Sequence, residues 1–144
     1  LHPHVKRLVI PPFMPRNLDS FASEIAEVAK RIIDDVAPAG KCEFVYDVAS
    51  RLPVYTFCVL MGIPEPDRER IFQIGNALAD LENPHDIPAL HKELAIYSYK
   101  LAEAKRANPD SSMMSAYVNS QVDGESLTPD QITMFFTTMC KGTN

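Results

Sequence analysis

At 144 residues the chain is long enough for one ordinary core, and its 46% hydrophobic and 23% charged residues mark a globular rather than a disordered sequence. A net charge of -5 with no basic run argues against a nucleic-acid partner, and no apolar stretch approaches the ~20 residues of a membrane span. Three widely spaced cysteines without a C-x-x-C pair argue against zinc or dithiol chemistry and read as free thiols in a reducing compartment, while the few glycines form no phosphate-cradling motif.

The opening stretch, LHPHVKRLVIPPFMPR, is not a signal peptide, because no long apolar segment follows its charges. It reads as a short basic helix cut by Pro11, Pro12 and Pro15. Leu18, Phe21, Ile25, Val28, Ile32 and Val36 then recur at steps of three and four, which predicts a helix over 18–36, capped by Asn17 and ended by Pro38 and Gly40. CEFVY, residues 42–46, is β-prone and reads as one short edge strand. Asp47 suits the cap of a helix running to about Met61. That helix is apolar around most of its circumference, so burial on several sides is expected, with an irregular first turn at Pro53 and a stop at Gly62 and Pro64.

Pro66 starts a segment reaching Leu81, whose opening charges Glu65, Asp67, Arg68, Glu69 and Arg70 read as a solvated helix face rather than an acid–base site. ENPHD is a break and the expected flexible loop; His85 within it and His91 at the following helix start are both expected to be exposed. Asp86 then caps a helix to about Arg106, stopped by Asn108 and Pro109. A short amphipathic helix carries Met113, Met114, Tyr117 and Val118, and Asp123-Gly124 makes a turn. In LTPDQ, Thr128, Pro129 and Gln131 form a capping box that opens ITMFFTTMC, a helix expected to be central and buried. The reading is seven helices and one short strand in a single unit over 1–144. Both ends read as interrupted.

Three stretches carry a family resemblance that extends over essentially the whole chain. HPHVKRLVIPPFMPR is similar to H-x-x-x-R-R-x-x-x-x-x-F-x-P-R, DVASRLPVYTFCVLMGIPEPDRE to a helix followed by an lhG[IV]Pxx[DE] turn, and QVDGESLTPDQITMFF to a junction of two helices. In that order they resemble the bacterial cytochrome P-450 family of haem-thiolate monooxygenases, from the helix lettered C to the first half of the helix lettered I. The fold implied is mainly helical, a partial cytochrome P-450 fold.

The resemblance implies haem b as cofactor. His2 and Lys6 stand four apart on one helix face, where two donor groups suit a propionate. Lys6 replaces the family's usual Arg and so loses the bidentate fork. His4 points elsewhere on a helix, so a two-histidine metal site is not expected. The helices over 66–81 and 86–106 resemble the roof of the substrate pocket, with Leu78 and Ala79 facing the substrate and ENPHD as the mobile entrance. In the last helix the family carries A-G-x-[DE]-T across the haem face. A gapless count puts Gly142 and Thr143 on the A-G positions and Thr138, Lys141 and Gly142 in the pocket. A one-residue shift would instead put Lys141 and Gly142 on A-G. Lys141 departs from the apolar residue usual there.

The F-x-x-G-x-H-x-C loop that supplies the iron's thiolate is not found around Cys42, Cys58 or Cys140, and the family's E-x-x-R pair is not identifiable. Two readings therefore stand. The first is part of a cytoplasmic monooxygenase that takes electrons from a ferredoxin-type donor and inserts one oxygen atom into a small apolar substrate, this chain alone being inactive. The second is a catalytically silent helical module that binds an apolar ligand or a partner chain.

Overall fold

Helices dominate because apolar residues return every three or four positions and each run is stopped by glycine or proline. The computed structural model describes residues 3–80 and 86–142. Eight α-helices lie in this part: α1 (Pro3–Val9), α2 (Pro15–Leu18), α3 (Ala22–Val36), α4 (Arg51–Met61), α5 (Glu65–Ala79), α6 (Ile87–Ala107), α7 (Met113–Asn119) and α8 (Pro129–Gly142).

The expected helix over 18–36 is divided. One tight turn over Asp19–Phe21 joins α2 to α3. Asn17 does not cap it, because its side-chain amide donates to the Pro11 carbonyl at 2.8 Å and so closes the proline-rich turn instead. The far end agrees with the sequence: a turn over Ala37–Ala39 carries Pro38, and Gly40 follows at φ 66°.

The edge strand expected at 42–46 is not formed, and among the described residues there is no sheet, only an isolated bridge between Val122 and Glu125. The side chains of Glu43 and Asp47 decide this. Glu43 accepts from the backbone N–H of Tyr46 at 2.6 Å and of Val45 at 3.3 Å, while Asp47 accepts from the N–H of Glu43 at 2.8 Å. This reciprocal cap starts a helical turn ahead of Asp47, and among the described residues no second strand is present to compete for those groups. The turn over Val45–Ala49 is a wide π turn leading into α4, next to Pro53, whose missing N–H cannot serve a preceding carbonyl.

α4 forms the centre. It packs against α3, α5, α7 and α8, which explains an apolar pattern that wraps most of its surface. Val54, Phe57, Cys58, Val59 and Met61 are all buried. The Phe57 and Phe136 rings, 5.2 Å apart, join α4 to α8. Phe135 meets Tyr117 of α7 at 5.1 Å and Phe13 of the proline-rich turn at 6.4 Å. Two start signals read from the sequence are present as bonds. Asp86 accepts from the Ala89 N–H at 3.0 Å, and Thr128 and Gln131 bond reciprocally at 3.2 and 2.9 Å.

In the charged opening of α5, Glu65 and Arg70 are exposed as expected, but Arg68 departs from the solvated reading. Arg68 is only 7% exposed; its Nε donates to the Ile63 carbonyl at 3.1 Å and its Nη2 to Glu24 of α3 at 2.9 Å. Glu69 accepts from Tyr55 at 2.7 Å and from Arg51 at 3.3 Å. Asp67 accepts from Tyr97 of α6 at 2.7 Å, Arg70 makes a two-pronged pair with Glu93, and Arg31 pairs with Glu65. These groups look like a solvated face in sequence because their partners lie 14 to 44 residues away.

Candidate functional site on the exposed face of the last helix

α8 is not buried all round, as its composition suggests. Ile132, Phe136 and Cys140 lie along one face and are 2%, 0% and 0% exposed. Met134, Thr138, Lys141 and Gly142 share the opposite face and are exposed, Met134 by 55%. An added Cβ on Gly142 would meet nothing within 4 Å, so the backbone is open there. Thr137 is spent locally, its hydroxyl donating to the carbonyls of Thr133 and Met134 at 3.0 and 3.1 Å.

The other residues singled out from the sequence fall in different surroundings. Leu78 belongs to the core, at 8% exposure, and Ala79, the last residue of α5, is exposed. Lys6 is exposed on α1, with no ion pair among the described residues. His2, Thr143, His85 and most of ENPHD lie outside the described residues, and His91 is half-buried on α6. Cys42 is exposed ahead of the Glu43 cap, whereas Cys58 and Cys140 are in the core. Burial pushes the Cys58 thiol up to about 12, with neighbouring Cys140 adding to the effect, and burial alone pushes Cys140 to about 11. Burial disfavours the thiolate form of both core cysteines. Among the described residues no cluster of His, Cys, Asp and Glu could hold a metal ion.

A cavity of about 220 Å³ lies between α3, α4 and α5, lined by Arg31, Arg51, Tyr55 and Arg68. It falls below the size of an ordinary small-molecule site, and its three arginines are held by Glu65, Glu69 and Glu24, which ties the helices together there. Sequence reasoning had no signal for it, because each charge reads as solvated until its distant partner is placed.

Helices packed around α4, with α8 turning one face to the core and leaving one open, match solved cytochrome P-450 structures. CYP268A2 of Mycobacterium marinum, solved in complex with pseudoionone, superposes with a TM-score of 0.82 at 32% identity over 99% of this chain and 37% of that one. CYP109E1 of Bacillus megaterium, solved with corticosterone, gives 0.88 at 20% identity over 98% of this chain and 40% of that one. Among curated proteins, a steroid C26-monooxygenase of Mycobacterium tuberculosis is 30% identical over 93% of this chain and 32% of its own length. A steroid C26-monooxygenase of Rhodococcus jostii is 28% identical over 93% of this chain and 29% of its own length. No family model matches the chain.

The chain belongs to the cytochrome P-450 family. It spans about a third of the length of the curated relatives it matches. Haem is the family's cofactor; among the described residues Lys6 on α1 has no counter-charge, and α8 has an open face with a glycine at its end.

Proposed function

We propose that the chain is the central helical portion of a haem-thiolate monooxygenase, which inserts one oxygen atom of O2 into a small apolar substrate using electrons from a ferredoxin-type partner. The observation that carries this reading is the open face of α8, a helix whose other face is fully buried against α4 and α6. Bound haem would supply the activation of dioxygen. Lys6, with His2 one turn earlier, would hold a propionate through charge-assisted bonds, and Lys in place of Arg makes that grip a single point of contact. Gly142, with Thr143 beside it, would leave room for a small molecule, since a side chain at Gly142 is all that the open backbone lacks. Thr138, Lys141 and Gly142 would face the substrate, with Ala79 at the end of α5; Leu78 would support that end from the core.

The activities of relatives, steroid C26-monooxygenase and methyl-branched lipid omega-hydroxylase, support a lipid-like substrate. We assign a cytoplasmic location on the family resemblance; no helix among the described residues is long and apolar enough to cross a membrane. The test is an absorbance spectrum of the full-length protein with reductant and carbon monoxide. A thiolate-type band supports the reading, and absence of haem uptake by correctly folded protein sinks it in favour of a silent binding module. Lys6→Ala should weaken haem retention in a chase with apomyoglobin without altering the fold.

A further inference from the structure

We propose that Lys141 reads an anionic group on the substrate, so that the pocket takes an apolar molecule with a carboxylate-like head in preference to a neutral one. This rests on the monooxygenase reading above. Lys141 is exposed on the same face of α8 as Met134 and Thr138, and it is the only charged residue of that helix after Asp130. It forms no ion pair among the described residues. One turn back along its own helix stand Thr137 and Thr138, neither of which carries a charge.

The helices packed on α8 do not offer it a counter-charge either, because their acids are engaged elsewhere. On α5, Asp67 holds Tyr97, and Glu69 holds Tyr55 and Arg51. On α6, Glu93 is taken by Arg70 and Glu103 pairs with Arg106. In the full-length protein the monooxygenase reading requires a pocket wall over this face, which in this chain is exposed, and such a wall would remove water from the ammonium, a change strongly disfavoured without an anion. A ligand that brings the anion removes that cost and gains a charge-assisted hydrogen bond. The four-carbon stem of Lys141 and the Met134 side chain present apolar surface beside that bond, so the preferred ligand is amphipathic, with an anionic head and a hydrocarbon body.

The test is calorimetric titration of the full-length, haem-loaded protein with dodecanoate and with methyl dodecanoate, which share a chain and differ in charge. The expected result is that dodecanoate binds at least about tenfold more tightly, that Lys141→Met removes this preference while methyl dodecanoate affinity stays within about twofold, and that Lys141→Arg keeps it. An unchanged preference in Lys141→Met overturns the inference, because the anion is then read elsewhere. Equal binding of both probes by the wild type also overturns it, because an acid in the rest of the protein then neutralises Lys141. Both of these outcomes leave the pocket itself in place. Binding of neither probe overturns the pocket reading and this inference with it.

Discussion

Replacing Gly62 with alanine tests how α4 is joined to α7. Gly62 ends α4 at φ 71°, and its N–H bonds to the Val59 carbonyl at 3.0 Å. An L-residue in this left-handed conformation costs about 1–2 kcal/mol. The new methyl would also lie 2.5 Å from Ser112 Cβ, 2.7 Å from Ser112 Oγ and 2.8 Å from Lys105 Nζ. Lys105 can swing aside, since only the far end of its side chain is involved. Ser112 cannot: it is 4% exposed, its hydroxyl donates to Asp110 at 2.5 Å, and the same oxygen accepts from the Ser115 N–H at 3.3 Å as the cap of α7. Overpacking adds about 1–3 kcal/mol, so Gly62→Ala should destabilise by about 2–5 kcal/mol, a large part of a typical domain's stability.

The assay is urea unfolding followed by far-UV ellipticity, reading the midpoint at constant slope. A second background separates the two causes. Ser112→Gly removes both contacting side-chain atoms and keeps a tolerated cap residue, so in that background Gly62→Ala should cost only the backbone part, about 1–2 kcal/mol. Equal costs in both backgrounds, or a cost under about 1 kcal/mol in the wild type, would refute the packing argument.

Two further outcomes follow from burial and charge. In native protein a maleimide at pH 8 should label Cys42 rapidly and leave Cys58 and Cys140 unmodified, with all three reacting in urea, as read by peptide mass mapping; rapid native labelling of Cys58 would contradict its core position and a thiol pKa of about 12. Asp110 supplies a pH dependence. Burial works against its charged form, but hydrogen bonds from Lys105 and Ser112 outweigh that and hold its pKa below the ordinary value of 3.8. The unfolded state therefore binds the proton more readily, so the contribution of Asp110 is present above that value and is lost as pH falls through the lowered pKa. Asp110→Asn should flatten the acid limb of a stability–pH profile, and an unchanged limb would show that other carboxylates carry it.

Local chemistry made much of the fold legible. The capping box at Thr128 and Gln131, the Asp86 cap and the stops at Gly40 and Gly62 all involve groups within a few residues of one another, so their bonds are written in short spacings. The order of the helices and the all-round apolarity of α4 were readable for the same reason. Residues 42–46 were misread because β-propensity describes how side chains suit a pleated, half-buried surface, and that surface has to be supplied by a partner strand. Without one, the Glu43 and Asp47 carboxylates capture the backbone N–H groups and a helical turn forms.

The candidate site divides along the same line. Family pattern and register pointed to Lys6, Thr138, Lys141 and Gly142 by position alone. Which face of α8 is open could not be read from ITMFFTTMC, whose apolar residues surround the helix. Only the packing of Phe136 against Phe57 and Tyr97 turns one side inward and leaves Met134, Thr138 and Lys141 outside. Helix starts and stops follow from neighbouring residues, because those signals are local hydrogen bonds and backbone geometry. The tertiary structure alone decided which charges are paired and which helix face stays open, because both depend on partners brought together from distant parts of the chain.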